Sequence, residues 1–296
     1  MSWLINPAQL DKFRKNQKSL MILDASWHLP HTGRNAKQEF IDKHIIDAHF
    51  FDLNLFHDPA NIIPNMLIHD EKIINEKLGK LGIRDDYKII FYDNSDLHSS
   101  CRALWMMRIF GHNPHQLYIL DGGLNAWEKY GGKLISGETT TAAKSYSAKF
   151  QSDLLHSLND IKKNLATHAE QVIDLRHAVR FAGGPESRPG LRSGHIPDSF
   201  SFPYTSFFDK QTKCFLPLEK IRKLLSEISI DLKSPIIATC GSGMTAPILN
   251  FILELMEHPQ HALYDGSWSE WGAETLYPGE NSLDERPVVR SIDKEV

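Results

Sequence analysis

A cysteine in a glycine-rich loop is the clearest chemical feature of the sequence. Cys240 follows a short run of β-branched residues, Ser234 to Thr239, and precedes the stretch GSGMTAP. Gly241 and Gly243 let the backbone turn sharply, so that successive amide N–H groups can face an anionic sulfur. The thiolate is the nucleophilic form of cysteine, and this pattern predicts covalent chemistry at Cys240.

A strand and a helix are predicted to position this thiol. Ile236 and Ile237 are typical of a buried parallel strand over Ser234 to Thr239. Thr245 is the predicted N-cap of an amphipathic helix that follows. The carboxyl end of a strand is where α/β sheets bind ligands, and a helix N-terminus favours a thiolate. The predicted active-site loop contains Cys240, Gly241, Ser242, Gly243, Met244 and Thr245.

A purely structural cysteine is the alternative interpretation, because free cysteines are often small buried hydrophobes. Two glycines and a serine around one side chain favour the functional interpretation, since a structural turn rarely needs them. Cys101 and Cys214 lack such a loop and are predicted to be structural.

Composition limits the function classes. The 296 residues are enough for two domains, and 41% hydrophobic with 24% charged residues is typical of a globular protein. A net charge of −4 gives no basic field for nucleic acid, and no apolar run has the length of a membrane span. The first residues resemble neither a signal nor a transit peptide, so a cytoplasmic location is expected. The three cysteines have no metal-ligand spacing, so neither metal nor cofactor is expected.

The two halves of the sequence repeat the same features in the same order. Four pairs of equivalent residues lie at similar spacings: Asp24 and Asp174 (150), His44 and His195 (151), Asp121 and Asp265 (144), and Trp127 and Trp271 (144). Such offsets indicate a duplicated domain. His44 and His195 recur in both halves, which predicts structural roles for them. The alignment places Asp93 opposite Cys240, so the first half has the loop without the nucleophile.

Short strands alternating with amphipathic helices predict an α/β fold with a parallel sheet in each half. The helices are predicted at Asp70 to Leu81 and at Leu218 to Ile228. The expected domains are a non-catalytic one at 1–140 and a catalytic one at 154–296. The weakly periodic stretch Gly131 to Asp153 is the predicted connection between them.

Several segments resemble the rhodanese superfamily of sulfurtransferases over nearly the whole chain. They are LDASW, FFD, YILDGGLNAW, SGHIP, ATCGSGMTA and YDGSWSEW. The resemblance implies two tandem rhodanese-like domains, each a parallel sheet with helices on both faces. It also implies that Cys240 carries sulfur as a persulfide to a thiol acceptor, such as thioredoxin or a small thiol, or to cyanide.

The loop of the chain resembles the members of this superfamily that use 3-mercaptopyruvate and release pyruvate. Thiosulfate-using members have a loop similar to Cys-Arg-Lys-Gly, whose cations suit a dianionic donor. Gly241 and Ser242 occupy those two places here. The resemblance gives Ser242 the role of hydrogen-bonding or protonating the leaving enolate. It gives Arg180 and Arg188 the role of holding the donor carboxylate, on a loop one residue shorter than the family pattern.

One departure concerns a proton relay. The family carries an aspartate and a histidine in its first domain, proposed to act with the serine, where this chain has Asn54 and Asn65. An asparagine cannot carry a proton at neutral pH, so the relay is either dispensable or replaced. The candidate replacements are His57, His69 and Asp58.

Three other functions compete with this hypothesis. A thiosulfate:cyanide sulfurtransferase would share the persulfide chemistry. A non-catalytic persulfide carrier would lack the arginine pair. A phosphatase on a related fold would need a longer loop ending in an arginine, where this chain has Met244, Thr245 and Ala246.

Overall fold

The computed structural model describes residues 3–16 and 19–291 and forms two compact units. Unit 1 contains the described residues up to His57, Leu67–Gln151 and Phe208–Leu216. Unit 2 contains Asp58–Met66, Ser152–Phe207 and the described residues from Pro217 onward. Each half of the sequence therefore contributes one short segment to the unit formed mainly by the other half.

Among its described residues, unit 1 is built from short strands and five α-helices. Its strands are β1 (Leu4–Ile5), β2 (Leu20–Asp24), β3 (His44–Ile45), β4 (Ala48–Phe50), β5 (Lys88–Tyr92), β6 (Leu117–Leu120) and β7 (Leu134–Ile135). Its helices are α1 (Pro7–Asn16), α2 (Ala36–Asp42), α3 (Glu71–Lys80), α4 (Ser100–Ile109) and α5 (Gly123–Tyr130).

Unit 2 repeats this arrangement. Its strands are β8 (Leu155–His156), β9 (Gln171–Asp174), β10 (Phe200–Ser201), β11 (Ile236–Thr239) and β12 (His261–Tyr264). Its helices are α6 (Leu158–Thr167), α7 (Ala178–Ala182), α8 (Leu218–Glu227), α9 (Pro247–Leu255) and α10 (Ser267–Trp271).

Both units contain a five-stranded sheet with parallel pairing throughout. The strand order is β1-β6-β5-β2-β4 in unit 1 and β8-β12-β11-β9-β10 in unit 2. Equivalent strands stand at equivalent places, as a duplicated domain requires. In unit 2 the register sets Thr239 opposite Asp174, so both strands end at the same edge of the sheet. The predicted α/β fold with a parallel sheet in each half is confirmed.

Most predicted elements are present where local sequence patterns place them. The strands end at Asp24 and Asp174 as predicted. Helix α3 follows Asp70, whose carboxylate caps it by accepting from the backbone N–H of Lys72 and Ile73. Helix α8 spans Leu218–Glu227.

One local prediction is wrong, and one stretch is more ordered than its composition indicates. Helix α9 begins at Pro247 with Ala246 at its N-cap position and no capping side chain, so Thr245 belongs to the loop. The stretch predicted as a connection is packed into unit 1 as far as Gln151. Within it, β7 pairs with β3, and the Lys144 N–H donates to the carbonyl of Gly79. Hydrogen bonds between backbone groups do not require a periodic pattern of apolar side chains. The weak hydrophobic pattern of this stretch therefore did not reveal them.

Each sheet is covered by a hydrophobic core. In unit 2 the core includes Ile161, Val172, Ile196, Ile237, Tyr264, Trp268 and Trp271. His44 and His195 occupy matching places beside these cores. Each donates through Nδ1 to a backbone carbonyl at 2.7 Å and stacks on the phenylalanine that provides this carbonyl. Their predicted structural roles agree with this packing. None of the described helices is long and apolar enough to cross a membrane.

Candidate active site

Cys240 lies directly after β11, at the carboxyl edge of the sheet of unit 2. Its side chain is buried, with 1% of the residue exposed. The loop turns at Gly243, whose φ of +72° is a conformation that glycine adopts without strain. The first residue of α9, Pro247, comes seven positions after Cys240.

Helix α10 and the turn before it hold the backbone of this loop. The N–H of Trp268 donates to the Cys240 carbonyl at 3.0 Å, and the N–H of Ser269 donates to the Gly241 carbonyl at 2.8 Å. The Ser267 hydroxyl accepts from the N–H groups of Cys240 and Gly243, at 3.1 and 3.2 Å, and donates to the Tyr264 carbonyl. Ser267 therefore ties both ends of the turn to the sheet.

This network corrects part of the predicted amide cradle. The N–H groups of Cys240 and Gly243 are bonded to Ser267 and are not free for the sulfur. Other loop amides, those of Gly241, Ser242 and Met244, have no acceptor within the part of the chain that the structure describes. An anion bound by this loop would therefore accept hydrogen bonds from these three amides.

Two arginines reach the loop: Arg180 lies on α7, and Arg188 lies on the segment that follows this helix. The Arg188 Nη1 donates to the Gly241 carbonyl at 3.1 Å and to the Ser269 hydroxyl at 2.7 Å. A Cβ atom added to Gly241 would lie 3.7 Å from Arg188 Nη2 and 3.7 Å from Arg180 Nη1. Arg188 Nη2 is buried and has no hydrogen-bond partner among the described residues. Both predicted arginines thus converge on the loop, and one buried donor is left to bind a ligand.

Glu186 joins the two arginines. Its Oε2 accepts from Arg180 Nε at 3.1 Å and its Oε1 accepts from Arg188 Nε at 3.3 Å. Burial raises the pKa of Glu186, but the hydrogen bond and charge of Arg180 and the charge of Arg188 outweigh it, so this pKa is lowered. Burial lowers the pKa of Arg188, and the charge of Glu186 opposes that effect. Glu186 therefore stays ionised and holds the two guanidinium groups in place.

A third arginine lies behind this pair. Arg176 is buried, binds Asp174 through Nη2 at 2.7 Å and stacks on Trp268, with its guanidinium 4.1 Å from the ring centroid. Its Nη1 lies 4.0 Å from Glu186. The three arginines face two carboxylates, so the cluster has a net charge of about +1.

Ser242 is half-buried and contacts a residue from the first half of the sequence. Asn65, in the segment Asp58–Met66 of unit 2, places its Nδ2 at 2.9 Å from Ser242 Oγ and at 3.3 Å from the Ser242 carbonyl. Asn54 belongs to unit 1, where its Oδ1 accepts from the Trp27 indole N–H. Of the candidate replacements for a relay, Asp58 lies in unit 2, and its carboxylate accepts from the Ala60 N–H.

The remaining thiols lie in different surroundings. Cys101 is fully buried on α4, and burial raises the pKa of its thiol well above the ordinary value. Cys214 is half-buried, and burial together with the charge of Asp121 raises its pKa. Both thiols are therefore weaker sources of thiolate at neutral pH.

Asp93 takes the place of the cysteine in unit 1, directly after β5. Its carboxylate accepts from the backbone N–H of Ser95 at 3.0 Å and of Ser100 at 2.9 Å. This loop thus has a carboxyl group, and not a thiol, at the equivalent position. Within the described residues, no group of three or more histidine, cysteine or acidic side chains could hold a metal ion.

Three of the residues at this site were not identified from the sequence. Glu186 lies between the two arginines in the chain, which was a usable signal. Ser267 and Ser269 lie in YDGSWSEW, a segment recognised for the repeat and the resemblance but not for contacts with the loop.

Comparison with known proteins identifies the family. The model of the rhodanese-like domain matches residues 6–130 and 157–274. The chain belongs to the rhodanese-like family. It contains two copies of the domain, as its strand order indicates, and the predicted resemblance is confirmed.

Individual relatives cover most of the chain. It is 40% identical to the 3-mercaptopyruvate sulfurtransferase of Homo sapiens over 255 residues, which are 85% of this chain and 84% of that protein. It is 35% identical to the thiosulfate sulfurtransferase of Gallus gallus over 254 residues, 86% of this chain and 85% of that protein. Among solved structures, SseA from Escherichia coli, described with 3-mercaptopyruvate sulfotransferases, superposes with a TM-score of 0.82 and 29% identity, covering 91% of this chain and 100% of that one. The predicted enzyme class agrees with these relatives.

Proposed function

We propose that this protein is a sulfurtransferase that takes sulfur from 3-mercaptopyruvate through a persulfide on Cys240. The observation that carries the proposal is the convergence of Arg180 and Arg188 beside Gly241, with a buried Arg188 Nη2 that has no partner among the described residues. A carboxylate is the natural partner there, because its oxygens can accept charge-assisted hydrogen bonds from the guanidinium groups, including Arg188 Nη2. A donor held there by its carboxylate would lie next to the Cys240 loop.

The reaction balances with the groups of the site. The Cys240 thiolate attacks the sulfur of mercaptopyruvate, an S–S bond forms, and the C3–S bond breaks with its electron pair left on C3. The donor sulfur is oxidised to the sulfane level while C3 is reduced. The resulting enolate of pyruvate gains the proton that the donor thiol carried, leaving the persulfide anion on Cys240. The Ser242 hydroxyl is suited to stabilise the enolate oxygen during this step.

Charge supports a donor with one carboxylate. The cluster of arginines and carboxylates has a net charge of about +1, and Gly241 and Ser242 add no cation to the loop. Thiosulfate carries two negative charges, and a more positive loop would bind it better. Mercaptopyruvate, with one carboxylate and a neutral carbonyl, matches the charge present.

The acceptor completes the cycle. A thiol, such as that of thioredoxin or a small molecule, attacks the outer sulfur and regenerates the Cys240 thiolate. We assign catalysis to the domain at 154–296 and a non-catalytic role to the domain at 1–140, because Asp93 replaces the nucleophile there. We also propose a cytoplasmic location, where free thiols such as these remain reduced.

Mass spectrometry tests the proposal. Incubation with mercaptopyruvate in the absence of acceptor should add one sulfur, about 32 Da, to the peptide that contains Cys240. Cys240→Ser should abolish the addition, whereas Cys101→Ser and Cys214→Ser should retain it. An addition on Cys101 or Cys214, or no addition with this donor, would contradict the assignment.

A further inference from the structure

Asn65 comes from the first half of the sequence, yet it lies in the unit that contains Cys240. Its φ of +65° is a left-handed conformation that most residues avoid and that asparagine and aspartate tolerate. The backbone of the segment is held by the N–H of Asp58, which donates to the Met66 carbonyl at 2.7 Å. The side chain of Asn65 is thus presented from a short loop closed upon itself.

The two oxygen atoms of Ser242 determine how the amide of Asn65 is oriented. One nitrogen, Nδ2, lies 3.3 Å from the Ser242 carbonyl and 2.9 Å from the Ser242 hydroxyl. A carbonyl oxygen can only accept, so the atom that faces both groups must be the NH₂ donor and not the amide oxygen. The Ser242 hydroxyl therefore accepts from Asn65, and its own hydrogen is free to be donated in another direction.

We propose that Asn65 is a positioning residue, which accepts no proton and directs the hydroxyl hydrogen of Ser242 toward the enolate oxygen of the departing pyruvate. This inference rests on the proposed function. The amide of Asn65 cannot titrate near neutral pH, so it can orient the serine but cannot relay a proton. No proton relay is needed, because the donor thiol brings the proton that ends on C3. The site thus replaces a relay with a fixed hydrogen bond.

Replacing Asn65 by aspartate provides the sharpest test. Aspartate has the same shape and tolerates the same backbone conformation, but its ionised carboxylate can only accept. It should take the hydrogen of Ser242 away from the substrate. We expect Asn65→Asp to lower kcat for persulfide formation on the order of 10²-fold, as for loss of an oxyanion donor. Asn65→Ala, which only removes the hydrogen bond to the Ser242 hydroxyl, should lower kcat about fivefold. KM for mercaptopyruvate should change little in both.

A double-variant comparison separates hydrogen direction from charge. In a Ser242→Ala background there is no hydroxyl hydrogen to misdirect, so adding Asn65→Asp should cost less than about twofold. If Asn65→Asp costs as much there as in the wild type, its new negative charge explains the loss and the inference is overturned. Equal kcat for Asn65→Asp and the wild type would overturn it as well.

Two controls complete the design. Asn61→Asp adds the same charge to the same segment and keeps the acceptor for the Ile63 N–H, so its kcat should match the wild type. Sulfur loading of wild-type Cys240, read by mass spectrometry, reports on the proposed function by itself. If the wild type loads and Asn65→Asp loads equally fast, the role of Asn65 fails while the proposed function stands. If the wild type takes up no sulfur, the proposed function fails.

Discussion

At the scale of single residues, the proposed site combines the thiol of Cys240 with two arginines that the fold already holds in position. Arg188 is fixed by three groups, Glu186, Ser269 and the Gly241 carbonyl, so little side-chain entropy remains to be lost when a ligand binds. Its free Nη2 is then available at no further conformational cost. This arrangement favours recognition of a carboxylate at a defined distance from the thiol.

Arg188→Ala should therefore weaken use of the donor far more than use of the acceptor. Loss of a charge-assisted contact from a partly buried site costs about 2–4 kcal/mol, which should appear as a fall in kcat/KM for mercaptopyruvate. Arg188→Lys should recover only part of this loss, because lysine retains the charge but lacks the planar fork. Steady-state kinetics with the donor and the acceptor varied separately will measure the effect.

The control for this prediction is Arg84→Ala, which removes an exposed arginine paired with Asp86 in unit 1 and should leave both parameters unchanged. Thiosulfate should be used less well than mercaptopyruvate by the wild type. A faster reaction with thiosulfate, or an equal loss for donor and acceptor in Arg188→Ala, would argue against a carboxylate clamp.

At the scale of elements, the active-site loop depends on the turn that opens α10. Ser267 is fully buried and its hydroxyl is the acceptor for two loop amides. It also has a φ of +49°, which is uncommon for a residue other than glycine. The backbone conformation of Ser267 is unfavourable by itself, and the three hydrogen bonds of its hydroxyl hold it in place. Together they fix the shape of the Cys240 loop.

Ser267→Ala should leave the N–H groups of Cys240 and Gly243 buried without an acceptor. Each unsatisfied buried donor costs about 1–3 kcal/mol, so we expect a lower free energy of unfolding and slower sulfur loading of Cys240. Ser267→Gly relieves the backbone strain but loses the same hydroxyl. The free energy of unfolding, measured with urea, and the rate of persulfide formation should therefore both be lower in the two variants. Full loading and stability in Ser267→Gly would mean that strain, and not hydrogen bonding, is what Ser267 contributes.

At the scale of the whole molecule, the duplication is visible in the equivalent strand orders, but the two units differ in their loops. Each half contributes a segment to the other unit, Asp58–Met66 in one direction and Phe208–Leu216 in the other. The exchange brings Asn65 to Ser242. The first half of the sequence thus supplies a residue to the unit that contains Cys240.

The C-terminal part of unit 2 is held by a buried ionic cluster that makes its stability depend on pH. Glu280, with 3% of its side chain exposed, binds Lys162 at 2.8 Å and Arg286 at 3.0 Å. Burial raises the pKa of Glu280, but the hydrogen bonds from Lys162, the Tyr277 N–H and Arg286 outweigh it and lower the pKa to about 2. Because the folded-state pKa lies below the unfolded value, ionised Glu280 stabilises the fold above about pH 4.5.

Glu280→Gln should therefore destabilise the protein by about 1–3 kcal/mol at pH 7, as for the loss of hydrogen bonds to a charged group whose partner Lys162 is partly exposed to solvent. The difference from the wild type should shrink as the pH falls from about 4.5 toward 2. Urea unfolding at pH 7, 5, 4 and 3.5 will measure the trend. Glu227→Gln, on the exposed end of α8, should be neutral throughout. A loss in Glu280→Gln that is independent of pH would contradict the ionic explanation.

The sequence by itself determined the features that depend on neighbouring residues. The strand before Cys240, the glycine that permits φ of +72° and the helix that follows Asp70 were predictable, because propensity, turn chemistry and hydrophobic periodicity act over a few positions. The repeat was predictable from the similar offsets between equivalent residues. The two arginines, Arg180 and Arg188, were predictable from the resemblance to the family. The local pattern was wrong at Thr245, because α9 begins at Pro247 after Ala246 and no side chain caps it.

The tertiary structure decided the contacts between residues far apart in the chain. Asn65 and Ser242 are separated by 177 positions, and Arg188 and Ser269 by 81. No local signal specifies such pairs, because they result from the packing of strands and from the exchange of a segment between the halves. The Cys240 loop was therefore predictable from the sequence, whereas the hydrogen bonds that orient the side chains around it were determined only by the fold.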